Sequence, residues 1–81
     1  MKAGVIRKLA ETHDLATLQA AADALENERA PAIEVKGADE GEMLTHCLLA
    51  QRLRTRIDDG DDPKTAFREL MNEVRAVISN D

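Results

Sequence analysis

Aromatic side chains are almost absent from this sequence: Phe67 is the only one, with no Trp and no Tyr. The bulkiest core fillers are missing, and so are the stacking platforms on which nucleic-acid bases are usually held. Cysteine is equally scarce. The lone Cys47 has no partner for an intrachain disulfide, and no positively charged start leads into a signal-type apolar stretch, so the expected compartment is the cytoplasm. No apolar run approaches the roughly 20 residues that would cross a bilayer. There is no glycine-rich phosphate loop, no CxxC pair and no serine-histidine-acid order, which leaves an enzyme without support and gives no reason to expect a cofactor. Positive charge is also in deficit, with 11 Lys and Arg against 16 Asp and Glu for a net charge of −5. Such a balance opposes non-specific attraction to nucleic acid or to anionic lipid.

What remains is a chain of 81 residues with room for a single helical domain, 1–81, and one hydrophobic core. The apolar share is an ordinary 43%, but much of it is alanine, which favours helix and buries little area. Leu, Ile, Val, Met and Phe67 must therefore supply most of the roughly 25 cal/mol per Å² of hydrophobic stabilisation. Chains of this size bury only about 60–65% of their unfolded surface, and oligomerisation is a common remedy.

Periodicity points to an all-α fold, a small bundle of about four helices with a long C-terminal helical hairpin. Val5, Ile6 and Leu9 share one face of a short helix over Ala3 to Ala10. Asp14 can cap a second helix running to about Glu28, with a seam of Leu15, Leu18, Ala22 and Leu25. Ala30-Pro31 stops it, because a proline and the residue before it both resist the helix. Residues 32–36 alternate apolar and polar, as a strand does. They must form an extended connector, or pair with the N-terminus or with a second copy of themselves.

Asp39-Glu40-Gly41-Glu42 has the spacing of a capping box and opens a third helix, Glu40 to Asp58. Its first half, MLTHCLLA, is apolar on nearly every side, which places it centrally. Asp58-Asp59-Gly60-Asp61-Asp62-Pro63 is a turn in which Gly60 accepts a left-handed conformation, Asp62 caps and Pro63 takes the first helical position. A fourth helix follows to about Ser79, with the stripe Phe67, Leu70, Met71, Val74, Val77 and Ile78. Within the chain, only this helix has a full stripe of large residues with which to cover the third.

Pro31-Ala32-Ile33-Glu34-Val35, then Gly37, Asp39-Glu40-Gly41-Glu42 and Leu44-Thr45-His46, resembles a small family of uncharacterised bacterial proteins of about this length. The likeness covers most of the chain, beginning from Val5-Ile6-Arg7-Lys8-Leu9. It implies a bacterial origin and a domain of unknown function, and it supplies no activity.

The residues themselves offer few constellations. Glu42 and His46 stand one helical turn apart and could share a proton or bind a metal, whereas the plainer account is a core histidine satisfied by Glu42 or a backbone carbonyl. One chain cannot build a di-iron centre from them, although a twofold dimer could bring two copies together. Cys47 points about 100° away from His46 on the helix and reads as a buried structural thiol. The acidic turn lacks a calcium loop's ligand order. Arg52, Arg54 and Arg56 do not share a stripe, and the fourth helix carries Glu69 and Glu73 where a DNA-reading helix would need cations.

Arg54 points into the apolar arc, as if to snorkel or to meet a carboxylate of a partner chain. The expected function is thus a protein-interaction or assembly module acting as a homodimer, with Leu44, Leu48, Arg54, Ile33 and Val35 at its interface. The competing class is a metal-binding or redox accessory protein using Glu42 and His46.

Overall fold

The computed structural model describes the backbone of residues 1–79 and the side chains of residues 1–76. Helix α1, Ala3–Thr12, buries Ile6, Leu9 and Ala10 on one face and leaves Arg7 and Lys8 in solvent. It runs two residues past Ala10 and closes where the His13 N–H donates to the Leu9 carbonyl at 3.0 Å. Helix α2, Leu15–Glu26, starts on the Asp14 cap, whose carboxylate accepts the Thr17 N–H at 2.8 Å. Leu18, Ala21, Ala22 and Leu25 face the core.

The end of α2 comes before the Ala30-Pro31 signal. Arg29 N–H donates to the Ala24 carbonyl at 2.7 Å and Glu28 N–H to that of Leu25 at 3.2 Å, the two bonds of a Schellman motif, with Glu28 at φ 56°. This left-handed position is usually glycine's, so a glutamate there gives no stop signal in the sequence. The same motif ends α3, Glu40–Asp58, with Gly60 at φ 105°: Asp61 N–H donates to the Arg56 carbonyl and Gly60 N–H to that of Ile57, both at 3.0 Å.

Between α2 and α3 the segment 32–36 is the extended connector, and no strand occurs among the described residues. Its alternation still has meaning: Val35 is buried and Ile33 half-buried against the core, while Glu34 and Lys36 face solvent.

The third helix has the bounds its sequence predicts, with Asp39 accepting the Glu42 N–H at 2.8 Å. It is the central element, touching all three other helices. Its main cover is not α4, as the stripe of large residues suggests, but α2 and α1. Small side chains explain the difference: Ala10, Ala21, Ala22 and Ala50 all sit in the core cluster, and alanine at a contact lets helix axes approach closely. Short alanine-rich helices therefore cover more of α3 than their side-chain volume implies.

Helix α4, Pro63–Ser79, begins on Asp62, which accepts the Thr65 N–H at 3.1 Å. It lies against α3 through Ala66 and Leu70, with Phe67, Met71 and Val74 half-buried. An Arg56–Glu73 ion pair ties the two helices at the surface. The side chains of Val77 and Ile78, expected in the same stripe, lie outside the described residues.

Candidate functional site

His46 is the one buried polar side chain among the described residues and is fully shielded from solvent. It projects from α3 toward two backbone segments, the start of α1 and the end of the connector. The Lys2 N–H reaches Nε2 at 2.9 Å, and Nδ1 lies 2.7 Å from the Lys36 carbonyl oxygen. A backbone N–H can only donate and a carbonyl can only accept, so these partners assign the proton to Nδ1 and the free lone pair to Nε2. His46 is thus a clasp that holds the start of α1 and the end of the connector to α3.

Glu42, one turn earlier, acts in parallel and not on His46. Its Oε1 accepts the Ala38 N–H at 2.8 Å and its Oε2 meets the Met1 ammonium at 3.1 Å. In a capping box the glutamate would return to the cap residue's own N–H; here it reaches one residue further back. The Ala38 N–H first, then the N-terminal ammonium, hold the Glu42 carboxyl below its usual range.

The two residues expected to share a site are therefore adjacent but engaged with different partners, and each pins the N-terminus and the 36–38 backbone. Among the described residues no group of three or more His, Cys, Asp and Glu is placed to hold a metal ion. Cys47 is fully buried, and burial pushes its thiol up.

The residues expected at an interface are not all at the surface. Leu48 is 43% exposed, a large aliphatic left in water on the outer side of α3, with Leu44 half-buried one turn before it. Val35 faces inward and Ile33 is half-buried. Arg54 needs no second chain: its Nη2 meets Asp58 Oδ1 at 2.7 Å, and its Nη1 donates to the Ala10 carbonyl at 3.0 Å near the end of α1. It is a strut between two helices, and the hydrogen bond to the Asp58 carboxylate pushes the pKa of its guanidinium further up.

Two features could not be read from any one segment. A groove of about 580 Å³ runs along α1 beside the connector, floored by Val5, Leu9 and Ile33, with Lys2, Lys8 and Lys36 among its walls. A second, of about 650 Å³, separates α1 from α4 and gathers Arg7, Lys64, Arg68 and Arg75 around Phe67 and Met71. The Arg7 guanidinium carbon stands 5.6 Å from the centre of the Phe67 ring, within cation–π range. In an acidic chain these cations are dispersed in sequence and converge only because α1 lies between the connector and α4.

No curated protein and no solved structure matches the chain at a significant level. One family does match, and over nearly the whole length: across residues 1–79, from the Met1 ammonium that meets Glu42 to the end of α4, the chain belongs to the family of unknown function DUF6952.

Proposed function

We propose that this protein is a small bacterial interaction module that works in the cytoplasm as a homodimer, with Leu48 at the centre of its self-contact. The observation that carries the reading is the 43% exposure of Leu48 beside half-buried Leu44 on the central helix, where every other large aliphatic residue is buried or half-buried. Leu48 is 43% exposed, so covering the rest of it gains somewhat under half of the roughly 1.5–3 kcal/mol for a fully buried leucine, and a twofold contact counts it twice. No helix among the described residues is long and apolar enough to cross a membrane. The net charge of −5 favours protein partners over nucleic acid or anionic lipid.

Arg54 drops out of the proposed contact, because Asp58 and the Ala10 carbonyl already engage it. Light scattering at micromolar concentration tests the reading. Twice the 8.9 kDa chain mass is expected for the native protein, and the single mass for Leu48→Glu with an unchanged helical spectrum. A native protein of single-chain mass throughout that range would refute it.

A further inference from the structure

We propose that the groove between α1 and the connector binds an amphiphilic carboxylate, its apolar chain along Val5, Leu9 and Ile33 and its head group at the Lys2 and Lys36 end. The volume of about 580 Å³ is that of a small-molecule site, and the floor is apolar. Its length, from Lys2 to Thr12, is about 15 Å at 1.5 Å per helical residue.

The two ends differ in chemistry. At one end the His46 clasp draws Lys2 and Lys36 together, since its two ring nitrogens bond to the backbones of these residues. At the other end are Thr12 and His13. Glu34 is the one carboxylate in the lining, against three lysines, and none of those lysines is in an ion pair among the described residues.

The cationic end is also the start of α1, which has no side-chain cap. The N–H group of Gly4, which lines the groove, has no acceptor among the described residues, while that of Val5 already turns back to the Lys2 carbonyl at 3.1 Å. Uncapped N–H groups at the positive end of the helix dipole favour an anion.

Gly4 adds open space at the same end of the groove. It lies within a helix, its φ is not left-handed, and a Cβ built on it would meet nothing within 4 Å. Neither backbone conformation nor close packing requires glycine here, although glycine weakens a helix relative to alanine. What the missing side chain does leave is open space in the wall of the groove, at the anion-favouring end.

Calorimetric titration with sodium decanoate, kept below its micelle concentration, tests the proposal. One decanoate per chain is expected, with decanol at least tenfold weaker because it lacks the charge. Gly4→Leu, which fills the space, should weaken decanoate at least tenfold while Gly4→Ala weakens it less than threefold. Lys36→Glu should also weaken it, since its side chain and not its carbonyl is changed. Circular dichroism checks that each variant is folded.

Absence of saturable binding would overturn the proposal. So would equal binding of decanol, or decanoate binding indifferent to Gly4→Leu. A change of chain mass in Gly4→Leu would instead assign the groove to a second copy. Decanoate binding is independent of self-association through Leu48: the Leu48→Glu variant should bind decanoate as the native protein does.

Discussion

Replacing His46 by Phe keeps an aromatic ring in a fully buried position and removes both polar atoms. The Lys2 N–H and the Lys36 carbonyl, at 2.9 and 2.7 Å from the ring, would each lose a partner. A backbone group orphaned in the interior costs about 1–3 kcal/mol, and these two lie in partly buried surroundings where water can replace some of the loss, so about 1 kcal/mol each is the reasonable figure. The expected total is about 2 kcal/mol, from a stability that for a domain of this size is about 4–12 kcal/mol.

With a urea slope of about 1 kcal/mol/M, the unfolding midpoint should fall by about 2 M. The amide variants dissect the loss. Asn places an amide N–H close to where Nδ1 stands and can serve the Lys36 carbonyl, whereas Gln reaches further and can accept from the Lys2 N–H, so each should recover about half. An unchanged midpoint for His46→Phe would refute the clasp, and so would Asn and Gln variants no more stable than Phe.

Equimolar zinc should leave the thermal midpoint unchanged, since the Nε2 lone pair is engaged by the Lys2 N–H; a rise lost in His46→Gln would show metal binding. Glu42 has a folded pKa below its ordinary 4.5, so its contribution is fully present above the unfolded value and disappears as pH falls through the folded one. Glu42→Gln should therefore flatten the acid limb of the stability–pH curve below about pH 4.5 and leave its slope at neutral pH unchanged.

The glycines should behave oppositely in denaturant titrations. Gly4→Ala is expected to stabilise by about 0.5–1 kcal/mol, whereas at Gly37 a Cβ would stand 2.8 Å from the Met43 backbone nitrogen and Gly37→Ala should destabilise. Native Cys47 should react with a thiol reagent far more slowly than in the denatured chain, because it is fully buried and its thiol is pushed up; rapid native labelling would contradict the placement.

Local chemistry was legible in the sequence where a side chain satisfies a neighbour within a turn. The Asp14, Asp39 and Asp62 caps, the Gly60 turn and the bounds of α3 all depend on contacts three or four residues apart. The burial of His46 followed from its position on the apolar arc of α3. The end of α2 was not legible, because Glu28 takes a left-handed conformation that glutamate does not advertise.

Nor could the distant backbone partners of His46 and Arg54 be read, since these lie 44 residues away in Lys2 and Ala10. Every residue carries the same N–H and C=O, so a backbone partner leaves no mark in the sequence. The cover of α3 and the two cationic grooves were likewise decided by the tertiary structure. Alanine contacts set how closely α1 and α2 approach α3, and only that approach brings cations from three separate segments to common walls.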